Sequence, residues 1–345
     1  MELRNLFQRL AATFGIINNT ILVLLIIHKS PKNLGSYKYL MIYISLFEIF
    51  YSSLDFLSSA EIYSRDSVFF IIINSNSAPL LPFWTIQTIN LIFCSLFGVS
   101  LIIFAAHFMY RYFVVTGSRF IQEHQLQKVL GLIAFTVFVG FLWSFIAYSL
   151  FSPTSYSDQF ISLHFLAPRH MDLSEITYMG AYFQPIDDTG KQFIDWNPVI
   201  GILLMTSVIF ASFSTVFYFG YKVHQKINNM LVEAASHNTR NLQSQLFWAL
   251  VFQTLIPLLL MHFPVTVAFL SSLFDISTEI LGDIPTVTIF LYPALDPLPN
   301  FFIIKNYRDA ILEFFGCLKL TERATGSTVP TGTANSKNSR QNRKT

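Results

Sequence analysis

Seven stretches of this chain are each long and apolar enough to cross a lipid bilayer, and no other feature constrains its fold so tightly. A helix needs about 20 mainly apolar residues to span the hydrocarbon. Residues 10–28, 39–59, 83–110, 129–151, 198–221, 246–273 and 280–304 meet that condition. The seventh is interrupted by Asp283, Asp296 and four prolines. Lipid offers the backbone no hydrogen-bond partner, so each stretch has to close its bonds internally, as a helix does. The expected fold is an all-α membrane protein, a seven-helix bundle over 1–304. Composition agrees: 53% of residues are hydrophobic and only 12% are charged, against roughly a quarter charged in soluble domains.

Basic residues concentrate on the cytoplasmic side of membrane proteins. Seventeen of the 22 Lys and Arg fall in the first, third and fifth connections and the tail, including Lys29, Lys38, Arg111, Lys128, Lys222, Arg240 and Lys305. The other side holds Arg4, Arg9, Arg65, Arg169 and Lys191, and its long connection before Asn197 carries six acids. The expectation is an N-terminus outside and a C-terminus in the cytoplasm, with no cleavable signal, because the first apolar run is itself long enough to span. After the seventh span, Ile311, Phe314, Phe315 and Leu318 recur at helical spacing. Residues 305–320 therefore read as a short amphipathic helix along the inner membrane surface. Residues 321–345, rich in Ser, Thr, Asn and Lys, read as a disordered tail.

Ionisable groups within a span are costly and tend to face the bundle interior. Glu48 lies ten residues past Lys38, about 15 Å at helical rise and hence near the midplane, and Asp55 shares its face. Asn18 and Asn19 sit at similar depth in the first span. A polar cluster of Asn19, Glu48 and residues of the seventh span is expected, and three readings of it stand open: structural glue, a water-linked switch, or an ion site. The Asn18-Asn19-Thr20 sequon lies within a span and is read as coincidental. The seventh span ends Tyr292-Pro293-Ala294-Leu295-Asp296-Pro297-Leu298-Pro299-Asn300. Its prolines remove backbone donors and free carbonyls, which makes the segment a hinge or a static kink. Pro257 and Pro264 pose the same choice in the sixth span. At the end of the third span, Tyr110-Arg111-Tyr112 puts a guanidinium where an arginine commonly snorkels to lipid phosphates.

The two cysteines, Cys94 and Cys317, are placed too far apart for a structural disulfide. No HExxH, Walker or GxSxG motif and no Cys/His metal spacing occurs, so no enzyme activity, metal or cofactor is expected. Nothing in the charge pattern points to nucleic acid.

The run from Tyr292 to Pro299 followed by Ile303-Ile304-Lys305-Asn306-Tyr307-Arg308 resembles the end of the seventh helix in nematode seven-transmembrane chemoreceptors of the Str type. Gly35-Ser36-Tyr37-Lys38-Tyr39-Leu40-Met41 and His107 to Tyr112 resemble further landmarks of that family, and the similarity extends over essentially the whole chain. The resemblance implies a G-protein-coupled receptor of the plasma membrane, carried in sensory neurons to the cilium, with a small environmental molecule as ligand. It implies switch roles for Asn19, Glu48, Asp55, Pro293, Asp296, Pro297, Pro299 and Asn300, and a heterotrimeric G protein at Tyr110, Arg111 and Tyr112. Tyrosine stands before Arg111 where rhodopsin-like receptors carry an acid. The usual disulfide to the second outer connection has no cysteine to form it, which leaves open what orders that connection. Trp84, Gln87, Asn90, His262 and Thr266, near the outer helix ends, are the expected ligand contacts, in a pocket with few polar handles. Cys317, beside Phe314 and Phe315, is a candidate for palmitoylation. The competing reading is a ligand-gated channel subunit or transporter with Glu48, Asp55 and Asp296 along an ion path. Pairing with a second receptor stays open.

Overall fold

The structure, a computed structural model, describes residues 2–31, 34–77, 82–118, 123–187, 189–229 and 237–316. Seven long helices form the bundle. They are α1 (Glu2–Lys29), α2 (Tyr37–Ser58), α3 (Phe83–Val115), α4 (Gln125–Leu150), α5 (Trp196–Asn229), α6 (His237–Pro257, continued by a π turn at Leu258–His262 and then Phe263–Leu273) and α7 (Glu279–Leu295, resuming as Leu298–Ile303). An eighth, α8 (Lys305–Phe314), leaves the end of α7 at 97°. Cys317, Leu318 and the tail from 321 lie outside the described residues.

The apolar residues sort into two populations. Those facing inward build the core around α3, which is buried along most of its length. Those facing outward stay exposed: Phe14, Phe138, Phe141, Phe145, Phe210 and Phe217 form a phenylalanine-rich surface over α1, α4 and α5. Water would not tolerate so continuous an apolar surface, and lipid tails meet it without cost.

The local breaks follow from prolines. Pro264 cannot donate to the preceding turn, and the π turn just before it widens the ladder of α6 around the gap. In α7 the helix stops at Asp296-Pro297 and restarts at Leu298. Pro299 falls in the first turn of that restart, where a missing N–H removes no bond; of the clustered prolines, Pro297 marks the break. Ile304 then adopts an extended conformation and turns the chain into α8. Tyr307 is buried there with its hydroxyl 2.7 Å from Ser30 Oγ, and Asn306 donates to the Lys29 carbonyl, so α8 is pinned to the end of α1.

The opposite end of the bundle carries a feature that the hydropathy reading passes over, a three-stranded antiparallel sheet. Strands β1 (Glu61–Arg65) and β2 (Val68–Asn74) form a hairpin between α2 and α3, and β3 (Ile176–Tyr182), from the connection between α4 and α5, pairs with β2. Asp66, at positive φ, and Ser67 make the two-residue turn. One face of the sheet, with Ile62, Phe69 and Ile73, packs into the bundle core. The other, with Tyr63, Phe70, Ile72 and Tyr178, is covered by Ile161, Phe165 and Leu166 of the short helical segment 155–166. Thr154 caps that segment through a reciprocal bond with Ser157. Tyr178 donates to Asp158 Oδ1 at 2.6 Å, and burial together with this bond raises the phenol above its ordinary range. Farther along the same connection, the Asp187 carboxylate accepts from the Thr189 hydroxyl and the Lys191 amide, which hold it below the usual range. Hydrogen bonds and a private core thus order the long connection.

The free edge of β1 is also satisfied, because its row of backbone groups would otherwise stand open. Ile62 N–H donates to Thr286 Oγ1 of α7 at 2.8 Å, and Gly282 lets α7 approach so closely that an added Cβ would lie 2.7 Å from the Ile62 carbonyl. Ser64 Oγ lies 2.9 Å from Ser272 Oγ, which donates to the Val68 carbonyl. Asn90 donates to the Ile71 carbonyl, and Arg4 and Arg169 both pair with Glu61.

Candidate functional site

Three groups of side chains occupy the axis of the bundle. Nearest the sheet is a cavity of about 200 Å³. Its roof is Ile62, Phe69 and Ile71 of the hairpin, with Phe69 stacked on Phe269 at 3.8 Å. Phe93, Cys94, Phe97, Trp143, Met205 and Ile289 supply much of the wall. Polar groups there are few and mostly paired. Tyr51 donates to Met261 Sδ and Thr266 to the His262 carbonyl, while the Trp143 indole N–H has no partner of normal geometry among the described residues. An engineered cavity of about 150 Å³ with such a lining admits benzene, so the space suits a small, uncharged molecule.

Of the five expected ligand contacts, Thr266 lines this cavity. His262 sits one layer below, with its ring 4.7 Å from that of Phe97 and Nε2 3.2 Å from Ser100 Oγ. Asn90 is committed to the sheet. Trp84 and Gln87 are a correction: Trp84 is 68% exposed and Gln87 is exposed beside it. At this end of α3 the inward positions are Ile86, Ile89, Asn90 and Phe93, so Trp84 and Gln87 point away from the bundle.

Below the cavity lies the polar cluster. Pro297 has no N–H to give the Pro293 carbonyl, and Asn19 supplies the missing donor at 3.0 Å. Asn18 does the same for the Ala294 carbonyl at 2.8 Å. Glu48 and Asp296, both fully buried, bring their carboxyl groups together, with Asn19 and Gln253 alongside. Among the described residues, none gives their four oxygens a hydrogen bond of normal geometry. Two acceptor-only groups in contact repel unless one positive charge, a proton or a small cation, lies between them. Asn300 extends the cluster by donating to Gln253 Oε1 of α6. Asp55 belongs elsewhere, since its carboxyl accepts from Gln8 near the sheet. Gln8 and Gln253 join these contacts without standing out in the sequence, although an amide within an apolar span is a signal of the same kind as Asn19.

At the far end, Arg111 corrects the expectation of a snorkelling arginine. It is buried; Nη2 donates to the Gln243 carbonyl of α6 at 3.0 Å, and the guanidinium lies 5.0 Å from the centre of the Tyr37 ring. Tyr110 stacks on Tyr37, whose hydroxyl reaches His107 Nδ1 at 3.3 Å. Tyr112 packs on Phe219 of α5. The tyrosine that replaces an acid before Arg111 therefore does not leave the arginine idle: a carbonyl and an aromatic face hold it against α6.

The arrangement has known counterparts. A family model described as the serpentine type 7TM GPCR chemoreceptor Str matches residues 4–312. The G-protein coupled receptor str-217 of Caenorhabditis elegans is 33% identical over 309 residues, 89% of this chain and 88% of that one. The serpentine receptor class r-10 of the same organism is 30% identical, covering 87% of this chain and 89% of its own. Among solved structures, the crystal structure of squid rhodopsin superposes with a TM-score of 0.59 over 95% of this chain and 91% of that one, at 13% identity. With a bundle that follows rhodopsin in fold and a sequence match spanning nearly its whole length, this chain belongs to the Str family of serpentine seven-transmembrane GPCR chemoreceptors.

Proposed function

We propose that the chain is a chemosensory receptor of the plasma membrane, sent to the cilium of a sensory neuron. Its ligand is a small, uncharged, largely apolar molecule held in the cavity beneath the sheet, and its signalling partner is a heterotrimeric G protein at the opposite end. The sheet and N-terminus face outward in this reading, which the distribution of basic residues supports. The observation that carries it is the cavity itself, lined by aromatic and aliphatic side chains from the sheet and the helices with few polar groups among them. Ligand binding shifts a receptor only if the two states differ in affinity. Here the wall includes Phe269 of α6 and Ile289 of α7, the helices that hold Gln253, Asp296 and the carbonyl bound by Arg111. A ligand that prefers another packing of α6 would break the bond from Arg111 to Gln243 and free Tyr110, Arg111 and Tyr112 for the G protein. Phe314, 85% exposed at the far end of α8, suits that helix to the inner lipid surface.

The test is a ligand-panel screen in cells supplied with a G protein, reading second messenger and membrane current together. A messenger response that disappears with Cys94→Phe, which fills the cavity, and with Arg111→Ala, both at equal surface expression, is the expected result. A current that survives removal of the G protein would instead establish the channel reading.

A further inference from the structure

The cavity beneath the sheet has a closed roof and an open flank. Every strand of the roof is fastened. β2 is paired on both edges, and β1 is held by β2 on one side and by Thr286 and Gly282 of α7 on the other. Ser64 and Val68 are tied to Ser272 at the end of α6, and Asp66 N–H donates to the Ser277 carbonyl beyond it. Glu61 is clamped between Arg4 and Arg169, and the outer face of the sheet is covered by Ile161, Phe165 and Leu166. A molecule arriving from water above the sheet would have to undo several of these contacts at once.

The flank is different. α5 makes its close backbone approach to α6 along His237–Pro257 and comes near Phe263–Leu273, past the π turn, at few points. Along that gap the cavity-lining residues Thr206 of α5 and Thr266 and Leu270 of α6 are themselves exposed on the outside of the bundle, Leu270 to 50%. A residue that lines an interior space and also faces out marks the rim of an opening. The surface around this one is Leu203, Phe210, Phe263 and Val267, all exposed and all apolar, so the opening faces lipid tails.

We propose that the ligand enters sideways, from the bilayer hydrocarbon through the gap between α5 and the sheet-side half of α6, and that its class is accordingly an uncharged molecule that dissolves in the membrane before it binds. This rests on the cavity being the ligand site. The bilayer then acts as the first filter of specificity, concentrating apolar molecules at the rim and excluding charged ones, which must shed their hydration to reach it. Thr206 and Leu270 are rim residues that set the rate of passage, whereas the residues deeper in the wall set affinity.

The experiment uses the full chain in phosphatidylcholine nanodiscs with aminoanthracene, a small apolar fluorophore that brightens on leaving water, as the probe. Wild-type protein is expected to bind it saturably and Cys94→Phe to lose that binding. Leu270→Trp and Thr206→Trp, which obstruct the rim, should slow association and dissociation together by about tenfold or more, with their ratio moving far less than either rate. Leu270→Ala, which widens the rim, should speed both. Ser272→Ala, which loosens the roof, should leave both rates near wild type. Rim variants that bind and release at wild-type rates, or a Ser272→Ala variant that is faster in both directions, would overturn lateral entry while leaving the cavity as the site. Absence of saturable binding to wild type, or undiminished binding to Cys94→Phe, would overturn the cavity reading and the entry route with it.

Discussion

Asn19 illustrates how one residue is fixed by its neighbour's chemistry. Pro297 orphans the Pro293 carbonyl, hydrocarbon cannot satisfy it, and an amide from α1 does. Asn19→Leu should therefore lower the unfolding temperature of detergent-solubilised protein, by an amount equivalent to about 1 kcal/mol, the scale of polar contacts between membrane helices. An unchanged unfolding temperature would mean that the carbonyl finds another donor. Glu48 makes the opposite case. Its carboxyl meets that of Asp296, a contact that repels unless a proton or small cation lies between them, so Glu48→Gln, which places a permanent donor there, should raise the unfolding temperature and weaken the ligand response, because the resting packing of α2 against α7 is strengthened. A lower unfolding temperature would rule out repulsion between the two carboxyls. The sequence makes Asn18, Asn19, Glu48 and Asp296 legible because polar groups in an apolar span have few reasons to be there. It does not separate Asp55 from that set, since a shared helical face does not reveal which neighbour lies opposite.

At the scale of elements, the helices are legible and the sheet is not, for the same physical reason. A span must be about 20 residues long, so a search for spans passes over the seven residues of β2, although Val68 to Ile73 is a continuous run of β-branched and aromatic residues next to a turn at Asp66-Ser67, the usual mark of a buried strand. The phase of α3 is illegible for a different reason. Because that helix is apolar on nearly every side, its pattern cannot say which residues face inward, and depth alone does not separate Trp84 and Gln87 from pocket positions. The sheet admits a direct test at Gly180, where β3 crosses so close to β2 that an added Cβ would collide with the Phe69 carbonyl and lie 2.8 Å from the Phe70 Cα. Gly180→Val should separate the strands and leave the receptor retained inside the cell, read as loss of surface staining against an unchanged total signal. Normal surface levels would show that the roof tolerates an open seam.

For the molecule as a whole, the sheet, the cavity, the polar cluster and the Arg111 layer form one column through the bundle; α6 touches every tier of it and α7 the first three. Ser272 and Thr286 hold the roof, Phe269 and Ile289 line the cavity, Gln253 and Asp296 join the cluster, and the Gln243 carbonyl holds Arg111. The family and the rhodopsin fold follow from spans and end motifs that any reader of the chain can find; the column does not, because it depends on side chains from elements far apart in sequence. One property of its upper tier reaches into how the protein is made. The segments that build the sheet and its cover, 60–77 and 152–195, contain no cysteine, so this face assembles without waiting for an oxidant or a disulfide isomerase. Dithiothreitol should leave its ligand response intact, and cell-free synthesis under fully reducing conditions should yield the same folded receptor.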